Sequence, residues 1–181
     1  MRAPFRLCQL AVLALFVLLS QGCIVLGSGT PDDDTSHREY YTDDEVRLAL
    51  TSSLEKHDAE KASAVEVYCF NSHIFLIGEA DEDFRRIALT LARGMKGGKG
   101  VTPHWFEPGT GHRMRDASLA ANIEGNLLFD KKISATRMAV SVVGGHVVLS
   151  GLMPNKKSEQ AVIEVARGTR GAKSVTSYLV Y

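Results

Sequence analysis

Cysteine is scarce in this sequence of 181 residues, which has only Cys8, Cys23 and Cys69. Cys8 lies in an N-terminal segment that we expect to be cleaved, so Cys69 has no partner except Cys23. The sequence therefore excludes a fold held by a framework of disulfides. Cys69 alternates with Val65 and Val67, which predicts a buried structural thiol on a strand.

Signatures of catalysis and of metal binding are also missing. The sequence has no nucleophile elbow and no HExxH pair. Its glycine-rich GMKGG follows the C-terminus of a predicted helix, whereas phosphate is bound at helix N-termini. His73 and His146 follow turns at matched places, so we interpret them as structural residues. We predict a protein that is not an enzyme and has no cofactor or metal. Nucleic acid is a poor partner, because the cations come without a recognition motif.

No apolar run has the roughly 20 residues that a membrane-spanning helix needs. The longest, Leu7 to Leu19, has 13 residues and follows Arg2 and Arg6, as in a secretory signal peptide. We predict that residues 1–22 are a signal peptide, that cleavage occurs before Cys23, and that the protein is exported.

Cleavage before Cys23 has two interpretations. The stretch LSQGC resembles the lipobox of bacterial lipoproteins, in which Cys23 is acylated, although Ser20 stands where leucine is usual. Ser20 and Gly22 equally suit an ordinary signal peptidase, which would release a soluble periplasmic protein. We favour the lipoprotein, because a lone thiol at a secreted N-terminus is a liability. Residues 23–41 are rich in small and acidic residues and are predicted to be a flexible tether.

The rest of the chain contains an internal repeat. LARGMKGGKGVT, residues 91–102, and VARGTRGAKSVT, residues 165–176, align without a gap and share 7 of 12 residues. The match continues upstream at an offset of 73, where Val46, Leu50 and Leu54 correspond to Leu119, Ile123 and Leu127. This spacing predicts the buried stripe of one helix in each copy.

Local signals complete each copy. Thr42 and Glu45 suit a capping box, and Asp116 is predicted to cap the matching helix of the second copy. Two alternating segments are separated at Asn71-Ser72 and Gly144-Gly145, which suit two-residue hairpin turns. A second helix follows in each copy, and a last strand begins near Val101 and Val175. The remaining predictions are glycines at the hairpin ends (Gly78, Gly151), N-caps (Asp81, Asn155) and C-caps (Gly94, Gly168).

The predicted fold is therefore α+β, with two tandem αββαβ modules. Each module is a three-stranded mixed sheet with two helices on one face. We assign residues 42–107 to the first module, 108–115 to a linker and 116–181 to the second.

This doubled pattern resembles the BON module of bacterial periplasmic and outer-membrane proteins. Behind LSQGC, the whole chain is similar to outer-membrane lipoproteins with two such modules. The resemblance implies a non-enzymatic protein that supports outer-membrane integrity. It also implies that the first helix of the second module contacts anionic phospholipid through an aromatic residue, where this sequence has Ser118.

Charge is divided unequally between the modules. Residues 43–103 have 8 Lys and Arg against 11 Asp and Glu, whereas residues 110–181 have 10 against 5. Leu128 and Phe129 replace Glu55 and Lys56 of the first copy and precede Lys131 and Lys132, which suits contact with an anionic membrane. The alternative is that Phe129 enters the core and both lysines are ordinary solvated charges.

Two functions remain open at this stage. In the first, acyl chains on Cys23 anchor the protein to the periplasmic face of the outer membrane, and the second module binds anionic phospholipid. In the second, the protein is an adaptor for envelope proteins, bound through its acidic first module or a sheet edge. Trp105 and Phe106 could anchor such a partner or could pack between the modules.

Overall fold

A computed structural model describes residues 41–129 and 137–180 and confirms the α+β fold with two modules built alike. The elements of the first module are α1 Asp43–His57, α2 Ala59–Ala62, β1 Val65–Phe70, β2 His73–Glu79, α3 Glu82–Arg93 and β3 Gly100–Phe106. Those of the second are α4 Arg113–Phe129, β4 Arg137–Val143, β5 His146–Leu152, α5 Lys156–Gly168 and β6 Ser174–Val180. The single-turn α2 was not predicted; Asp58 is its N-cap and accepts from the Lys61 N–H at 3.0 Å, but four residues are too few to show a buried stripe.

Each module has a three-stranded mixed sheet. β2 lies between β1, which is antiparallel to it, and β3, which is parallel, and β5 lies in the same way between β4 and β6. The turn residues between the antiparallel strands have positive φ angles, 50° and 64° at Asn71 and Ser72 and 60° and 85° at Gly144 and Gly145. Both hairpin predictions are confirmed, because two-residue turns of this hand require positive φ at both positions.

Three of the predicted helix starts are confirmed. The Thr42 hydroxyl accepts from the Glu45 N–H at 3.2 Å, and the Thr42 N–H donates to the Glu45 carboxylate at 2.7 Å, which completes a capping box. Asp81 and Asn155 are the N-caps of α3 and α5.

Two predicted helix boundaries were wrong. Asp116 does not cap α4, which begins one turn earlier at Arg113, because its carboxylate is used by the backbone of a distant hairpin. Gly168 is not a C-cap, since α5 continues through it and Thr169 caps the helix with an ordinary φ of −75°. Gly94 does cap α3, but its φ of −84° suits any residue.

The helices of each module cover one face of its own sheet. The predicted stripes are buried, with Val46, Leu50 and Leu54 at most 1% exposed and Leu119, Ile123 and Leu127 at most 6%. They pack on inward-facing strand residues that include Ile74, Leu76, Val147 and Leu149. Cys69 belongs to the first core as a free buried thiol, as predicted.

The opposite faces of the two sheets are not left to solvent, because they pack against each other. Phe75 and Ile77 of β2 and Val148 of β5 form a separate buried cluster. Its partly buried members are Tyr68, Phe70, Phe106 and Tyr178. β2 and β5 are therefore buried on both faces, and the two modules stack as helices, sheet, sheet and helices.

Polar contacts also join the modules. The Arg137 guanidinium lies 2.8 Å from the Asp43 carboxylate. The linker also contacts the first module, since the Gly111 N–H donates to the Glu79 carboxylate at 2.8 Å. The His104 Nδ1 lies 2.9 Å from the Tyr178 hydroxyl. The modules therefore form a shared apolar interface with polar contacts beside it.

Candidate functional site

The predicted membrane patch is described only in part. Leu128, in the last turn of α4, is 86% exposed, which is unusual for a leucine. Phe129 ends the helix, but its side chain falls outside the described part of the chain, as do Lys131 and Lys132. Cys23 also lies outside the described residues.

The structure adds further residues of α4 to this patch. Most residues that point away from the core along this helix are uncharged, and the exposed Arg115 and Glu124 lie beside them. The uncharged residues are Met114, Ala117, Ser118, Ala121, Gly125 and Leu128, of which Gly125 is partly buried. Met114 is 82% exposed, so large apolar side chains stand at both ends of the face. At a rise of 1.5 Å per residue, they are about 21 Å apart along the helix axis.

The matching face of α1 has a different chemistry. At an offset of 73, Ala117, Ser118 and Leu128 take the places of Asp44, Glu45 and Glu55. The second copy has thus lost three carboxylates from one helix face while keeping the buried stripe beneath it. Because the core does not constrain outward positions, this difference concerns the surface of the helix and what it contacts.

A pair of equivalent carboxylates positions the first helix of each module. The Asp43 carboxylate accepts from the N–H groups of Asn71 and Ser72 at 2.9 and 2.7 Å, and Asp116 accepts from Gly144 and Gly145 at 2.8 and 3.0 Å. Each helix start is therefore fastened to the hairpin turn of its own sheet. This role was not predicted, although acidic residues 73 apart in the two copies were a visible signal in the sequence.

The electrostatics at Asp43 follow from these contacts. Partial burial acts to raise the pKa of this carboxyl, but hydrogen bonds from the N–H groups of Ser72 and Asn71 outweigh it, and the pKa is lowered. The neighbouring Cys69 has its pKa raised to about 12, chiefly by burial and then by the Asp43 charge. That thiol is therefore unreactive, in keeping with a structural role.

Two of the four predicted structural glycines occupy positions that only glycine fits. Gly78 and Gly151 have φ angles of 153° and 133°. A Cβ atom on Gly78 would collide with the Ala64 carbonyl oxygen, and one on Gly151 with that of Arg137. Gly168 has open space around it, and Gly94 has no neighbour closer than 3.5 Å to an added Cβ. Gly78 and Gly151 must be glycine because another backbone segment passes close to each of them at the end of the hairpin.

The remaining candidates have structural surroundings. His73 Nε2 lies 2.8 Å from the Thr102 hydroxyl, and His146 Nδ1 lies 2.7 Å from that of Ser174, each across a parallel strand pair. Trp105 packs against the first core, and Phe106 joins the cluster between the sheets. Within residues 41–129 and 137–180, no three His, Cys, Asp or Glu side chains converge as metal ligands would.

None of the described helices has both the length and the apolar character needed to span a membrane.

The chain is similar over part of its length to two solved structures of CdsD, a structural protein of the type III secretion system of Chlamydia trachomatis. Both are 14% identical to it, with TM-scores of 0.31 and 0.32; 77% of this chain is covered in each case, and 67% and 63% of those chains.

The family comparison is more informative. The model of the BON domain matches residues 42–104 and again residues 115–181, one match in each module. BON domains are non-catalytic binding domains that are known to bind phospholipid membranes. Since the two matches together cover most of the sequence, the chain belongs to the BON-domain family.

Proposed function

We propose that this protein is a lipoprotein of the outer membrane, facing the periplasm, that binds anionic phospholipid through α4 and supports the integrity of the envelope. The observation that carries the proposal is the outer side of α4, where Met114 and Leu128 are almost fully exposed and the carboxylates of Asp44, Glu45 and Glu55 in the first copy have no counterpart. Membership of a family of membrane-binding domains supports it. An acylated Cys23 would supply the anchor.

The charges around α4 suit an anionic surface. Arg113 and Arg115 are exposed at the start of the helix, and Lys131 and Lys132 follow its end in the sequence. The exposed Glu124 and, in the sequence, Asp130 are acidic residues among them. An interfacial helix lies flat on a bilayer with its apolar side chains below the headgroups and its cations among them. Each Lys or Arg near such a surface contributes about 1 kcal/mol.

The apolar contribution is modest, which explains why an anchor is needed. Burying the exposed part of Met114 and Leu128 would contribute about 1.5–3 kcal/mol each. Together with a few cations, this gives weak and reversible binding by the free modules. A covalent acyl anchor on Cys23 would keep the helix at high effective concentration beside the bilayer, so that weak binding is sufficient.

The membrane contact is tested with a Cys23→Ser chain, which cannot be acylated, and vesicles of phosphatidylglycerol mixed with phosphatidylcholine. Leu128→Glu restores on α4 the residue that α1 has at the same place, and should reduce vesicle binding about tenfold or more. The matched control is Leu48→Glu, which puts the same charge at a position 57% exposed on α1. Equal binding by both variants would contradict the proposal, and a co-purifying envelope protein without vesicle binding would favour an adaptor.

The anchor is tested separately. We expect the intact mass of the protein extracted from membranes to exceed that of the chain from Cys23 onward by the mass of its acyl groups. An unmodified Cys23 in a freely diffusing periplasmic protein would rule out the lipoprotein.

A further inference from the structure

A cleft of about 610 Å³ lies beside the first two turns of α4. One wall is the helix itself, through Arg115, Ser118 and Leu119. The hairpin turn at Gly144 and Gly145 and the segment that enters β6, with Arg170, Gly171 and Lys173, form the other sides. The cleft opens next to Met114, at one end of the outer face of α4.

Three cations surround this cleft. Arg115, Arg170 and Lys173 are exposed, and none forms an ion pair with a described residue. The carboxylate in the lining is Asp116, which is 7% exposed and accepts from the N–H groups of His112, Gly144 and Gly145. Because its oxygens are bound by backbone donors, its charge is partly offset locally. The cations remain available to a ligand.

In the first module, a side chain fills the place that corresponds to this cleft. Tyr41 occupies the place that corresponds to Met114 and packs against the first core, and a Cβ on Gly97 would lie 2.5 Å from the Tyr41 Cβ. At the matching Gly171, the nearest atoms to an added Cβ are those of Leu119, at 3.8 Å. Met114 instead points to solvent and leaves the cleft open. The opening is thus a feature of the second copy, on the helix that has Ala117, Ser118 and Leu128 in place of three carboxylates of the first.

We infer that this cleft binds the phosphate group of a phospholipid headgroup while the outer face of α4 rests on the bilayer. The inference rests on the proposed function and names the subsite that binds the headgroup. The guanidinium groups of Arg115 and Arg170 offer paired donors that match phosphate oxygens, and Lys173 adds a compact charge. Met114 lines both the cleft and the apolar face, so a headgroup here would have its acyl chains directed beneath the helix.

The test replaces two cations that lie off α4, so that the apolar face is unchanged. Arg170→Gln with Lys173→Gln is compared with Lys157→Gln and Arg167→Gln, which remove the same charge from exposed positions of the same module outside the cleft. Both are made in the Cys23→Ser chain. We expect the cleft variant, but not the control, to lose about tenfold in affinity for phosphatidylglycerol vesicles, and little for phosphatidylcholine vesicles.

A soluble probe separates the headgroup site from membrane binding. Glycerol phosphate, added against sodium chloride of equal ionic strength, should shift the amide resonances of Gly144, Gly145 and Gly171 in the parent chain and not in the cleft variant. Equal vesicle binding by the cleft variant and the control variant would overturn the headgroup site in the cleft, even if the parent chain binds vesicles. Shifts without any vesicle binding would overturn the membrane function and leave a site for free phosphate esters. No shifts and no vesicle binding would overturn both.

Discussion

His104 Nδ1 and the Tyr178 hydroxyl lie 2.9 Å apart at the interface of the two sheets, and these residues are 74 positions apart in the sequence. That separation is the offset of the repeat, so they are the same position of β3 and β6. Residues next to the axis of a two-fold interface contact their own equivalents in this way. Phe75 and Val148, equivalent at an offset of 73, meet in the same cluster. The duplicated modules therefore pack back to back, as two copies of a subunit would.

The first prediction concerns pH. Burial, followed by the charge of His146, lowers the pKa of His104 below its ordinary 6.5. The unfolded chain therefore binds a proton at a higher pH than the folded chain does. The free energy of unfolding should be highest above pH 6.5 and should fall as the pH drops through 6.5 toward the lowered pKa. One proton limits the slope to about 1.4 kcal/mol per pH unit.

Urea unfolding at several pH values checks this. His104→Gln should reduce the fall in stability on the acid side, whereas His112→Gln, at an exposed position, should keep it. An identical slope in the parent and in the His104 variant would show that other groups cause the acid sensitivity.

The second prediction concerns the glycines that end the hairpins. Gly78→Ala and Gly151→Ala should each cost about 2–4 kcal/mol of unfolding free energy, because the new methyl group collides with backbone and the positive φ is strained. Gly168→Ala is the matched control, since it lies in α5 with open space around it. It should be neutral or stabilise by up to about 1 kcal/mol. Chemical denaturation measures all three, and similar losses would refute the distinction.

The elements of each module could be predicted because their signals are local. Buried stripes, turn residues and N-caps such as Thr42, Asp81 and Asn155 are read within a few residues. The packing of one sheet on the other depends on contacts about 70 residues apart, so alternation in β1 and β4 suggested a single buried face. The run Ile74 to Ile77 was the available clue, because a continuously apolar strand is typical of burial on both sides.

The candidate site was only partly accessible to sequence reasoning. Leu128 stood out because Glu55 matches it in the first copy. Met114 did not, because its counterpart Tyr41 is also apolar and only the structure shows that one packs inward and the other points to solvent. Asp116 was assigned to the wrong donors, since a carboxylate near a helix start suits a cap as well as a distant turn. Which backbone N–H groups it accepts from is a tertiary property.

The third prediction concerns that carboxylate. Asp116→Ala would leave the N–H groups of His112, Gly144 and Gly145 without their acceptor at a site that is 7% exposed. We expect a loss of about 2–5 kcal/mol, the range for removing one partner of a buried hydrogen-bonded charge. Asp44→Ala removes a carboxylate with 83% side-chain exposure and should change stability by less than about 0.5 kcal/mol. Thermal unfolding of the two variants compares them, and equal melting temperatures would contradict the role of Asp116.

The fourth prediction concerns cooperation between the modules. Phe75 is 5% exposed and contacts Tyr178 of the other module with ring centroids 6.5 Å apart. Phe75→Ala should cost about 3–5 kcal/mol and should weaken the coupling between modules, because the lost area lies in their shared cluster.

Two probes can follow the modules during denaturation. The single tryptophan, Trp105, packs on the first core and reports on that module, whereas circular dichroism reports on both. The two curves should coincide in the parent chain and separate in Phe75→Ala. Leu54 is buried in the first core and not in the cluster between the sheets. Leu54→Ala should lower the free energy of unfolding by about 2–5 kcal/mol, and the fluorescence and circular dichroism curves should shift together. Both substitutions remove comparable apolar area. Unfolding curves that separate only in Phe75→Ala would therefore assign the coupling between the modules to the sheet interface. Curves that coincide in both variants would contradict that assignment.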